Sequence, residues 1–283
     1  MRWRGGRQSD NIEDRRGISP GAMIGGGLGT AVLVIVAMLL GVDPRQLLQQ
    51  GGADTAMPTA SAPTQPGANE PDTMREFVAT ILGSTEDVWT NVFRRRGAEY
   101  RQPRLVLYSG ATSTSCGEGQ AAMGPFYCPG DERVYLDMSF FRELRDRFGA
   151  AGEFAEAYVI AHEIGHHVQK LLGIEGRVQA AMRRADETGA NALSVRLELQ
   201  ADCFAGVWGA LAEQQRALLE PGEAQEALDA ASAIGDDKLQ QAARGYAVPE
   251  TFTHGSSAQR VASFRRGFES GDPGRCDTFG GRL

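Results

Sequence analysis

The chain has 283 residues, enough for one or two domains with a real core, and its hydrophobic (42%) and charged (23%) shares are those of a globular protein. Acidic residues outnumber basic ones 36 to 29, giving a net charge of −7. That balance argues against a nucleic-acid binder, which would carry a concentrated basic face, and is silent on any other substrate.

Residues 1–20 are polar and lean basic, with Arg2, Arg4, Arg7, Arg15 and Arg16 against Asp10, Glu13 and Asp14. From Gly21 to Val42 there is no charged residue, and Ala31 to Leu40 is almost wholly aliphatic. A helix of about 20 residues spans the hydrocarbon core of a bilayer, and no small-residue cleavage site follows this run. The expectation is therefore an uncleaved single-pass transmembrane anchor over 21–42. The arginines before it place residues 1–20 in the cytoplasm and the rest of the chain on the far side of the cell membrane, periplasmic or extracellular. Residues 43–72 carry Pro44, Pro58, Pro63, Pro66 and Pro71 among Ala, Thr, Gln and Gly. Such a composition buries too little apolar surface to fold, so it reads as a flexible tether.

The folded part is expected over 73–283. Phe77, Ile81, Leu82, Val88, Trp89, Val92 and Phe93 fall at helical spacing within 74–96. Leu105–Tyr108 and Val134–Leu136 read as strands, separated by a Gly/Ser/Thr-rich loop. The second strand is either a sheet edge able to take an extended peptide or an ordinary core strand. Helices are expected from Ser139, over 153–172 with Gly173 as the stop, over 190–215, over 223–243 and over 257–269. The fold class is thus α+β, predominantly helical, with a small sheet.

The helix over 153–172 carries His162-Glu163-Ile164-Gly165-His166-His167, three of the four histidines in the chain. His162 and His166 lie one turn apart on the same face and suit a single metal ion. Glu163, beside the first histidine, suits a base acting on water at that metal rather than a ligand. His167 points about 100° away from His166 and reads as a structural neighbour. A hydrolytic zinc site needs a third protein ligand. Glu198 and Asp202 share one face of the next long helix among Leu197, Ala201, Phe204, Ala205 and Trp208, where carboxylates are costly unless paired or metal-bound. Glu198 is the expected third ligand of one Zn²⁺, and Asp202 the acceptor for the free N–H of a ligand imidazole. His254, in a Thr-His-Gly turn, is either a donor to a developing oxyanion or a surface residue. These parts describe a peptide-bond hydrolase whose partners are a peptide or protein substrate and the lipid bilayer. A non-haem iron enzyme also uses two histidines and a carboxylate, and a tethered interaction module could keep a structural zinc; Glu163 argues against both.

No pair of the four cysteines has C-x-x-C spacing. In an oxidising compartment they form two disulfides, with Cys116–Cys128 and Cys203–Cys276 the expected pairing among three possible ones.

Gly124-Pro125-Phe126-Tyr127-Cys128-Pro129, Val134-Tyr135-Leu136-Asp137, His162 to Gln169 and Glu198-Leu199-Gln200-Ala201-Asp202-Cys203 together resemble the bacterial family described as "putative neutral zinc metallopeptidase". The resemblance covers most of the chain, including the apolar run and the later Gly255-Ser256-Ser257. It implies a zincin-like metalloprotease fold, in which a glutamate of a downstream helix, here Glu198, is the third zinc ligand.

Overall fold

The computed structural model describes residues 1–17 and 72–280. Strand β1 (Ile12–Asp14) precedes helix α1 (Thr73–Arg95). Strands β2 (Arg104–Tyr108), β3 (Ala111–Thr114), β4 (Gly117–Gln120), β5 (Phe126–Cys128) and β6 (Arg133–Asp137) follow. The remainder is helical: α2 (Ser139–Asp146), α3 (Glu153–Leu171), α4 (Ile174–Met182), α5 (Glu187–Arg216), α6 (Glu223–Ala233), α7 (Asp236–Arg244) and α8 (Ser257–Ser270).

Four strands make one sheet in the order β1-β2-β6-β5. The first three run parallel, and β5 runs antiparallel to β6. Strand β6 is therefore interior, and its Val134, Tyr135 and Leu136 are buried. The edges are β1 and β5, so of the two readings of Val134–Leu136 the ordinary core strand is the one observed. The Gly/Ser/Thr-rich loop is in part a hairpin of β3 and β4, whose small residues hid the alternation a strand usually shows.

Helix α3 is buried on nearly every side, with Phe154, Tyr158, Ile160, Ala161, Ile164 and Val168 all in the core. A helix apolar all round belongs at the centre of a fold. It packs against α1, α5 and α6, and α5 in turn packs most extensively against α8. The α5–α8 contact is backbone to backbone: a Cβ on Gly206 would stand 2.1 Å from the Phe264 carbonyl oxygen. Helix α5 is longer than its apolar pattern suggested because Asp186 caps it, accepting from the Gly189 N–H. Residues 223–243 break into α6 and α7 at Ile234-Gly235, where the Asp236 N–H donates to the Gly255 carbonyl.

The pairing Cys116–Cys128 and Cys203–Cys276 is the one observed. The apolar run 21–42 and the tether up to residue 71 lie outside the described residues. Among those described, no helix is long and apolar enough to cross a membrane. Residues 1–15, expected to form a separate basic tail, belong instead to the same folded unit as the chain from Thr73 onward. Their charge hid this, because the apolar content is confined to Trp3, Ile12 and the chain's first methionine.

Candidate metal centre

Helices α3 and α5 cross where Gly165 faces Ala201. A Cβ at 165 would stand 2.9 Å from both the Cα and the carbonyl oxygen of Ala201, so glycine lets the two backbones touch. That approach carries Glu198, one turn before Asp202, onto the two histidines of α3. The Nε2 atoms of His162 and His166 are 3.2 Å apart. The Glu198 carboxylate lies 3.1 Å from His162 Nε2 and 3.4 Å from His166 Nε2. One donor atom from each of the three lies within 4.8 Å of the others, the only such metal-capable group of His, Cys, Asp and Glu among the described residues. Two imidazole nitrogens and a carboxylate oxygen are a donor set that suits zinc.

Each histidine is turned toward the others by a partner behind it. His162 donates from Nδ1 to Asp202 Oδ1 at 2.8 Å. Asp202 is fully buried and also accepts two bonds of 2.9 Å from the Arg260 guanidinium of α8, and one of 2.6 Å from the Tyr158 hydroxyl. His166 donates from Nδ1 to Gln169 Oε1 at 2.9 Å. Gln169 is itself held by the Leu197 carbonyl and by Gln200, whose amide reaches the carbonyl of the disulfide-bonded Cys276. Both rings therefore hold a proton on Nδ1 and present Nε2 to the cluster.

Sequence reasoning found Asp202 but missed Gln169, Arg260 and Tyr158. Gln169 was readable from its position, one turn beyond His166. Arg260 carried a signal too, since Ser257, Arg260, Phe264 and Gly267 form the buried stripe of α8. An arginine on such a stripe needs a buried acid.

Electrostatics follow this wiring. Burial disfavours the charged form of Asp202, yet the Arg260 guanidinium and the His162 ring outweigh it and hold its carboxyl at about 2. Burial raises the Glu163 carboxyl above the usual range, with the neighbouring imidazoles opposing it. His167 takes no part in the cluster. It is buried, donates from Nε2 to the Arg101 carbonyl at 2.6 Å and accepts from the Tyr127 hydroxyl at 3.0 Å, which ties strand β5 to α3.

His162, Glu163, His166 and Glu198 line a cleft of about 620 Å³ that is also bordered by Phe126 and His254. His254 is half-exposed there and held from behind. Its Nδ1 lies 3.2 Å from Asp236 Oδ1, while Asp236 Oδ2 accepts the backbone N–H groups of Thr253, His254 and Gly255. The bond to Asp236 raises the His254 pKa; burial opposes this and the Glu198 charge assists it. Asp236, another residue the sequence did not single out, thus fixes both the turn and the ring.

Comparison with other proteins adds to this geometry. "Uncharacterized protein YpfJ" of Escherichia coli strain K12 is 50% identical over 290 residues, covering 99% of each chain. "Uncharacterized protein Rv2575" of Mycobacterium tuberculosis strain H37Rv is 44% identical over 257 residues, covering 86% of this chain and 85% of the relative. No solved structure matches the chain. The family model described as "Putative neutral zinc metallopeptidase" matches residues 1–279, and the chain belongs to that family.

Proposed function

We propose that the protein is a zinc metalloendopeptidase of the zincin type, with His162, His166 and Glu198 as the ligands of one zinc ion. The observation that carries this reading is the convergence of those three donors in a cleft that also holds Glu163. Zinc in such a site supplies Lewis acidity and makes water a nucleophile near neutral pH. Glu163, whose buried carboxyl is already disposed to hold a proton, accepts one from the attacking water and passes it to the leaving amine. His254, steadied by Asp236 at the rim, donates to the carbonyl oxygen as charge develops on it. An extended peptide would lie along the edge strand β5, whose Phe126 borders the cleft, and pair with its free backbone groups. Two of the three exposed large hydrophobic residues among those described, Met123 and Leu239, line the same cleft and favour apolar side chains in the substrate.

The decisive comparison is Glu163→Gln against the wild type. The variant is expected to bind zinc at one equivalent with unchanged affinity and to lose peptidase activity by at least about a thousandfold. Equal activity in the two proteins would remove Glu163 from the mechanism. A wild type inert toward broad peptide libraries would favour a structural metal site, and stoichiometric iron in place of zinc would favour an oxygenase.

A further inference from the structure

Residues 1–15 are built into the body of the protein, and this bears on how the chain can meet a membrane. Strand β1 pairs in parallel with β2 over Ile12–Asp14, flanked by the bonds Leu105 N–H to Asn11 carbonyl and Arg15 N–H to Leu107 carbonyl. Trp3 is 4% exposed, packs edge-on against Phe77 and donates to Glu153 at 2.9 Å. Helix α1 is shaped to receive this segment. A Cβ on Gly83 would stand 2.5 Å from the Arg7 carbonyl oxygen, so only glycine admits the segment at that point. The Glu86 carboxylate, 1% exposed, takes its hydrogen bonds from Arg7 (2.7 Å), Ser9 (2.6 Å) and Asn11 (2.8 Å). Residues 7–11 thus supply the donors that the Glu86 carboxylate takes where the segment packs on α1. The family model's match also begins at residue 1.

A single membrane crossing between residues 15 and 73 would place these two halves of one sheet on opposite faces of the bilayer. We infer that residues 1–15 and the body from Thr73 onward lie on the same side of any membrane to which the chain is attached. The uncharged run 21–42 then makes no single crossing, and the arginines before that run do not set a cytoplasmic tail against an outer domain. The inference stands on packing alone and is independent of the proposed activity.

The test uses the full-length chain in cells. Gln8→Cys and Arg265→Cys each place one thiol at an exposed position, one in each half, while the native cysteines are paired. A membrane-impermeant maleimide is applied to intact and to lysed cells. Both variants are expected to label in intact cells, or both only after lysis. Labelling of one in intact cells and of the other only after lysis would overturn the inference. Hydrogen exchange on the unmutated protein in its native membrane provides the second measurement. Backbone amides between residues 9 and 15 should exchange at least about a hundredfold more slowly than an unstructured tail. Exchange at the unstructured rate would overturn the inference even if the labels agreed.

Discussion

Arg260 is not one of the three donors of the cluster, yet its guanidinium holds the carboxylate that orients His162. Replacing it with methionine keeps the volume and leaves Asp202 buried beside two weaker donors. The expected result for Arg260→Met is zinc bound about 10 to 100 times more weakly in a chelator competition, with the fold retained by circular dichroism. Arg260→Lys should recover part of that loss, because a point charge replaces only one arm of the fork. His254 offers a test through pH. Its pKa is raised by Asp236, so the imidazolium persists above the ordinary histidine range and is lost as pH rises through the raised value. If the charged ring assists the reaction, kcat/KM should fall on the alkaline side with that pKa. Asp236→Asn should shift this limb toward lower pH, and His254→Ala should abolish it; a limb unmoved in both variants would exclude His254 from the chemistry.

At the level of elements, the site is a crossing of α3 and α5 backed by α8, and one disulfide pins the arrangement. Cys203 follows Asp202 directly on α5, and Cys276 offers its carbonyl to Gln200, which braces Gln169 behind His166. The bridge closes a loop with a sequence separation of 73 residues. The chain-entropy account assigns such a loop a contribution of about 4 kcal/mol. The variant Cys203→Ser/Cys276→Ser is expected to lose about 2–4 kcal/mol in denaturant unfolding and to release zinc faster. Much of this element-level picture was legible beforehand. The spacing of His162 and His166, and of Glu198 and Asp202, survives into the structure because helical periodicity is local. The crossing itself was hinted at only by Gly165. The partners that come from a third helix, Arg260 above all, depend on tertiary packing that no window of sequence encodes. The edge strand β5 escaped the sequence reading for a related reason: three residues, Phe126–Cys128, carry too little alternation to stand out beside the more apolar Val134–Leu136.

Across the whole molecule, the largest departure from sequence-based expectation is at the beginning of the chain. Residues 1–15 look like a soluble tail because a strand of three residues, Ile12–Asp14, flanked by arginines has no periodicity to detect. Their place in the sheet is set by partners far along the chain, namely the helix that accepts Arg7 and the strand that accepts Ile12. The same long reach has a consequence in time. Ile12–Asp14 cannot complete their strand until β2 has been made, and Asp202 cannot gain its guanidinium partner until α8 has followed. Contacts so distant in sequence form slowly, since loop closure precedes any gain from pairing. A nascent chain that already contains both histidines and Glu198 still lacks Arg260 and the Cys276 carbonyl that brace them. The orientation of the side chains proposed to bind zinc is therefore one of the last things this protein acquires, and an unfinished chain is a poor candidate for the proposed activity.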